Sequence, residues 1–205
     1  MRPLASQTNA CPLCYQPATV DFFRCEKTLF QYQRCPVCEL ISVPEAQHLD
    51  ARDERAIYDQ HNNDPEDPRY RKYLNRLAEP IIARLASRHS EGLDFGSGPG
   101  PTMPLIFEHA GHECAIYDKF YANDKTVLNN KNYDFISSSE VVEHLSTPGA
   151  TFQLLFSLLA PNGILGVMTR LYSADLDFEN WYYKNDPTHI AFYTEATMSF
   201  IAKAN

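Results

Sequence analysis

Glycine is scarce, at 8 of 205 residues, and no apolar run approaches the roughly 18 residues of a membrane span. With 44% hydrophobic and 21% charged residues, that composition excludes collagen-like, disordered and coiled-coil chains and leaves a folded globular protein. Positive charge is also in deficit. Lys and Arg number 18 against 26 Asp and Glu, so the net charge of −8 argues against a protein that lives on phosphate backbones and points to a small acidic enzyme. The opening MRPLASQTNA lacks the apolar core of a signal peptide, and a cytoplasmic location is expected. At 205 residues the chain has room for one ordinary domain with a small appendage.

What is present is concentrated. Five of the six cysteines fall within the first 38 residues, four of them as Cys11-Pro-Leu-Cys14 and Cys35-Pro-Val-Cys38. Two such pairs across a loop match the knuckle spacing of a four-cysteine zinc ribbon, in which thiolates converge on a tetrahedral ion. Metal supplies the folding energy that about 40 residues cannot draw from their own core. Cys11, Cys14, Cys35 and Cys38 are therefore the expected structural zinc ligands, with Cys25 a fifth thiol and Val20, Phe22, Phe23, Phe30 and Tyr32 packed around the ion as a short β-ribbon. Residues 1–50 carry four basic against five acidic side chains, so this head is expected to buttress the next domain or cover a small molecule, with nucleic acid disfavoured.

Residues 46–68 are polar and broken by prolines, and read as a linker with a short helix near 51–59. Tyr70, Tyr73, Leu74, Leu77, Ile81 and Leu85 recur at helical spacing, with a break expected at Pro80. Strands near 92–95, 113–117, 133–138 and 163–169 then alternate with helices near 101–109, 148–160 and 194–203. Alternation of this kind predicts a doubly wound, mostly parallel α/β sheet, so the expected domains are 1–45, 46–68 and 69–205. Such sheets bind ligands beyond the carboxyl ends of their strands.

The first strand ends in Leu93-Asp-Phe-Gly-Ser-Gly-Pro-Gly100, a turn that lets a ligand approach the backbone closely. The glycine spacing differs from the dinucleotide fingerprint, and Asp94 lies two residues before Gly96. A carboxylate there would repel a pyrophosphate but suits an ammonium group. S-adenosylmethionine offers an amino-acid end, a sulfonium and a ribose without phosphate, and Asp118 after the second strand is placed to accept hydrogen bonds from two ribose hydroxyls.

With LDFGSGPG at 93–100, IYD at 116–118, YDFISSSEVVEHL at 133–145 and LLAPNGILGVMT at 158–169, the chain resembles the class I S-adenosylmethionine-dependent methyltransferases. The segment WYYKNDPTHIAFYT at 181–194 looks like a branch whose members carry N-terminal cysteine knuckles. The resemblance implies a Rossmann-like fold with cofactor contacts at Asp94, Gly96, Gly98, Asp118, Ser138, Ser139 and Glu140, and a lid over the cofactor offering Tyr58 and His61. Only fourteen residues separate Asp118 from Tyr133, so the usual third strand should be abbreviated, and the last two strands of the family sheet are not expected within 205 residues.

Glu140, Glu143 and His144 are read at a helix start, sharing one face at i, i+3 and i+4. A similar E-x-x-E-H holds metal in small-RNA 2′-O-methyltransferases and ubiquinone-pathway O-methyltransferases, and the resemblance makes Glu140, Glu143, His144 and His189 candidate ligands for Mg²⁺ or another divalent ion. Without metal, His144, His189 and Glu143 are candidates for general-base or substrate-binding roles, or for structural ones. The aromatics between Tyr172 and Tyr193 are read equally as a substrate pocket or as core. The expected activity is methyl transfer to oxygen, nitrogen or carbon of a small molecule, in a monomer or homodimer. A non-catalytic zinc-ribbon adaptor and an RNA methyltransferase are the alternatives.

Overall fold

The computed structural model describes residues 10–60, 63–129 and 132–204. They form two compact units that interleave along the chain: the described residues within 10–49, 143–152 and 170–204 in one, those within 50–142 and 153–169 in the other. The first therefore takes in two segments that the sequence assigns to the catalytic domain.

The second unit is built on four parallel strands, β4 (Glu91–Phe95), β5 (Glu113–Tyr117), β6 (Tyr133–Ser139) and β7 (Leu159–Met168), in the order β5-β4-β6-β7. Helices α2 (Pro68–Ile82) and α3 (Thr102–His109) connect and cover it. Successive side chains of a strand alternate between faces, so Phe135 joins Leu74, Leu77, Ile81, Met103 and Phe107, while Ile136 joins Leu93, Tyr133, Leu155 and Leu158. A parallel sheet covered by apolar clusters on both faces is the expected Rossmann-like architecture. Among the described residues no strand lies between β5 and β6, only a 3₁₀ turn at Lys125–Leu128, and β7 forms a sheet edge.

Two boundaries differ from the sequence expectation. Pro80 does not break α2, because it lies in the last turn and removes only one late hydrogen bond; the helix runs on to Ile82. Strand β7 begins at Leu159, four residues early, because Leu159 pairs with Tyr133 before a register shift resumes the ladder at Ile164. Helix α1 (Ala51–Tyr58) is capped by Asp50, whose side chain accepts from the Arg52 and Asp53 amides, and α2 by Asp67 in the same way.

The first unit contains an antiparallel sheet of β1 (Val20–Arg24), β2 (Gln31–Arg34), β3 (Ile41–Ser42) and β8 (Ala191–Phe192), in that order. The last strand comes from about 150 residues downstream of β3, with Ile41 opposite Phe192 and Ser42 opposite Ala191. Helix α4 (Pro148–Ser157) contributes its first residues to this unit, and α5 (Glu195–Ala204) closes the chain.

The ribbon aromatics do not surround the cysteines as expected. Val20 is exposed, and Phe22, Phe23, Phe30 and Tyr32 pack with Tyr172, Phe178, Trp181, Tyr183 and Phe192. Most of these rings meet edge to face at centroid separations of 5.0–5.9 Å, as for Phe22–Phe178, Tyr32–Phe178 and Phe178–Phe192. The downstream aromatics are thus buried in a core cluster, apart from Tyr182 at 60% exposure.

Candidate functional site

The glycine turn leaves β4 where the strand order reverses, the position at which open α/β sheets present ligand sites. Gly96 has φ +86° and Gly98 φ +64°, and a Cβ on Gly96 would come within 2.3 Å of Val141. Only glycine fits Gly96 on both counts. The turn is pinned to β5 because the Gly96 amide donates to the Tyr117 carbonyl at 2.7 Å, and the Gly98 amide donates to the Asp118 carboxylate at 3.0 Å.

Asp94 is buried and accepts a hydrogen bond from the Ser137 hydroxyl at 2.8 Å. Burial pushes its carboxyl up to about 7; the Ser137 bond opposes that rise, and the nearby Asp118 charge reinforces it. The second oxygen of Asp118 accepts from the Phe120 and Tyr121 amides at 2.8 and 3.1 Å, which folds residues 119–121 into a tight loop. Ser138 lies fully buried at the end of β6, followed by Ser139 and by Glu140 in the left-handed region at φ +54°.

Helix α1 engages the loop after Asp118. Glu54 receives Lys119 at 2.7 Å and the Tyr58 hydroxyl at 2.8 Å, Asp59 receives the Tyr121 hydroxyl at 2.6 Å, and the Tyr58 ring lies 6.0 Å from Phe120. His61 lies outside the described residues. Two contacts escaped the sequence reading. Asn63 seats its carbonyl where a Cβ on Gly100 would lie within 2.0 Å, and Tyr70 feels the Asp94 charge. Both sit in segments whose local pattern reads only as turn or amphipathic helix.

In the first unit the four cysteine sulfurs gather within 4.8 Å of one another, with Cys11 3.5 Å from Cys38 and Cys14 3.4 Å from Cys35. Each pair sits on the same turn. The Cys11 amide donates to the Gln16 carbonyl and the Tyr15 amide to Cys11, with Tyr15 left-handed; Cys35, Leu40 and Glu39 repeat this bond for bond. Residues 25–30 form the turn a third time, with Thr28 at the second cysteine's place, and that substitution explains why Cys25 stands outside the cluster. Cys11 and Cys38 share a hydrogen bond that either thiol could donate, and that bond pulls the Cys11 thiol down to about 5 and, with burial, pushes the Cys38 thiol up.

A second cluster gathers Glu143, His144 and His189, again within 4.8 Å. Glu143 and His144 lie on a 3₁₀ turn, Val142–His144, not on the α-helical start expected. The left-handed Glu140 precedes that turn, so the i, i+3, i+4 face does not form, and the gathered group does not include Glu140. Glu143 is fully buried and accepts the Tyr183 hydroxyl at 2.5 Å. His144 Nδ1 faces the Thr188 carbonyl at 3.1 Å and His189 Nδ1 the Tyr183 carbonyl at 2.6 Å, so each Nδ1 carries a proton and donates, and His189 Nε2 lies 3.9 Å from the Asp186 carboxylate. The two imidazoles stand 4.7 Å apart. Asp186 braces the segment, taking the Thr188 amide and hydroxyl at 2.9 and 2.6 Å.

A family model described as a methyltransferase domain matches residues 70–205. Among solved structures 75 chains match. One comes from the complex between the Haloferax volcanii Trm112 methyltransferase activator and a methyltransferase, at 12% identity and a TM-score of 0.46 over 68% of this chain and 73% of that one. A SAM-dependent methyltransferase from Archaeoglobus fulgidus is 20% identical, with a TM-score of 0.46 over 66% and 72% of the two chains. Haemonchus contortus phosphoethanolamine N-methyltransferase 2, solved with phosphomonomethylethanolamine and S-adenosylhomocysteine, is 13% identical, with a TM-score of 0.45 over 74% and 44%. No curated protein matches the sequence. The glycine turn at the reversal of a parallel sheet and a family match over more than half its length lead to one conclusion: the chain belongs to the methyltransferase-domain family, the class I S-adenosylmethionine-dependent methyltransferases.

Proposed function

We propose that this protein transfers the methyl group of S-adenosylmethionine to an oxygen, nitrogen or carbon nucleophile of a small molecule. The observation that carries the donor is the polar lining of the glycine turn. Among the described residues the Ser97 and Ser138 hydroxyls are buried without a hydrogen-bond partner, in the same strand-end region as buried Asp94, and buried hydroxyls left so are costly unless a ligand completes them. Asp94 suits the ammonium of the cofactor, the positive-φ glycines allow its close approach, and Asp118 has lone pairs left for ribose hydroxyls. Ser139, Glu140 and Tyr58 complete the contacts proposed. When bound, the sulfonium supplies an already activated methyl, so the protein's part is chiefly to hold the acceptor in line.

The Glu143, His144 and His189 cluster is the proposed acceptor-activating group. Its turn follows directly in the chain on the strand end carrying Ser138, Ser139 and Glu140. With Nδ1 of each ring held by a carbonyl, Nε2 is the atom that takes a proton from, or hydrogen-bonds, the acceptor. The convergence of three ligand-type atoms also supports a second reading, a divalent ion held by Glu143, His144 and His189, which would lower the pKa of an acceptor hydroxyl. The four cysteines are proposed to hold one structural zinc, which suits four sulfurs gathered on two matching turns.

Calorimetry with S-adenosylhomocysteine tests the donor: binding that Asp118→Ala weakens is expected, and folded protein that binds nothing refutes it. A mild chelator separates the roles of the histidines. Metal-free acid–base chemistry survives it, with a rate that rises through a histidine pKa, while a divalent site loses activity until the ion is restored.

A further inference from the structure

The two clusters of the first unit occupy opposite ends of one short hydrogen-bonded path. The second knuckle runs from Cys38 straight into β3, where Ile41 and Ser42 pair with Phe192 and Ala191 of β8. One residue further, the Val43 amide donates to the Ile190 carbonyl at 2.9 Å, and the Ile190 amide donates to the Glu143 carbonyl at 2.9 Å. His189 is the next residue. The first knuckle makes a second link, since the Gly149 amide at the start of α4 donates to the Pro12 carbonyl at 3.1 Å. A Cβ on Gly149 would press within 2.4 Å of the Leu13 carbonyl. Between the two routes lies fully buried Tyr193, within electrostatic reach of Glu143, Cys38 and Cys11.

We infer that metal in the cysteine cluster acts as a switch on the acceptor-activating cluster: zinc held by Cys11, Cys14, Cys35 and Cys38 fixes Glu143, His144 and His189, and its loss releases them while the cofactor site persists. The inference rests on the readings of both clusters given above. The physical reason lies in what each side contributes. Segments 143–152 and 170–204 supply two strand residues and a set of rings to the first unit, and their partners β1, β2 and β3 are borne by a segment of about 40 residues that is too short to fold on its own core. Four thiolates so close would repel one another unless a cation neutralised them. The cofactor contacts at Asp94, Gly96, Gly98, Asp118 and Ser138 belong wholly to the other unit, whose parallel sheet has its own two apolar clusters.

The single tryptophan reports this directly, because Trp181 is buried in the aromatic cluster of the first unit. In the full chain, a strong chelator under reducing conditions should remove zinc, shift Trp181 emission to the red and abolish methyl transfer by more than about tenfold. S-adenosylhomocysteine affinity should stay within about twofold, and added zinc should restore emission and activity together. The emission readout does not depend on any acceptor, so it stands even if the methyl-transfer reading fails. A second variant is Gly149→Ala, outside both sets of ligands; its added Cβ would press on the Leu13 carbonyl and strain the link between α4 and the first knuckle, so it should speed zinc release to the chelator several-fold. Unchanged emission after zinc removal, cofactor affinity lost in parallel with zinc, protein that carries no zinc when purified, or unaltered release from Gly149→Ala would each overturn the switch.

Discussion

The two units solve the same problem of order with different materials. The parallel-sheet unit is held by mixed aliphatic and aromatic clusters on both faces of four strands, and the groups proposed to bind the cofactor hang on strand ends. The cysteine unit has a small antiparallel sheet, a cluster of edge-to-face rings and four thiols, drawn from three separated stretches of chain. The comparison teaches that a sheet core tolerates loss at one point better than an assembly of short strands. In the second case each ring supports segments that have few other attachments.

The sharpest way to test that contrast is Phe192→Ala. Phe192 is fully buried on a two-residue strand and touches Tyr32, Phe178, Trp181 and Tyr183. Truncation should cost about 3–5 kcal/mol, seen as a lowered urea midpoint in Trp181 fluorescence with S-adenosylhomocysteine affinity retained.

The next effect belongs to the cofactor unit. Asp94 has its pKa raised to about 7, so between its unfolded value near 4 and 7 the native state keeps a proton that the unfolded state has lost. Stability of the ligand-free protein should therefore fall as pH rises across that window, by about 1 kcal/mol per unit, and level off above it. Asp94→Asn should flatten this slope and raise the melting temperature at pH 8, yet weaken S-adenosylhomocysteine binding roughly 30-fold or more through loss of a buried charge pair. Equal slopes in the two proteins would remove Asp94 as their cause.

Gly96→Ala comes third. A φ of +86° and the approach of Val141 should cost on the order of 1–3 kcal/mol and reduce cofactor affinity about tenfold, with Trp181 emission unmoved. Smallest is Lys119→Ala. The Lys119–Glu54 pair is half exposed on the lysine side, so its loss should change cofactor affinity by no more than a few-fold, with an effect that shrinks as salt rises.

Much of the cofactor unit was legible because its signals are local. Strand 113–117 and the helix near 101–109 appear within a residue of their expected bounds, and the Gly-x-Gly turn with Asp94 and Asp118 sits where periodicity places it. The cysteine spacing likewise identified a cluster whose sulfurs do meet. The Glu140 to His144 segment misled for an equally local reason. Its spacing favours a helix face, but the left-handed Glu140 separates strand from turn, a choice made by the Glu140 amide bond to the Met168 carbonyl at 2.8 Å.

The sequence by itself determined the periodic parts: the alternation of strand and helix, the glycine turn with its acid, and two knuckles that need only a few consecutive residues each. Tertiary structure alone decided that β8 would join β3 across about 150 residues, that most rings between 172 and 193 would be buried in one cluster, and that Glu140 would stand outside the group of Glu143, His144 and His189. The reason is physical. Short two-residue strands and scattered aromatics carry no period of their own, and their partners are selected only when burial and hydrogen bonding can be satisfied together in three dimensions.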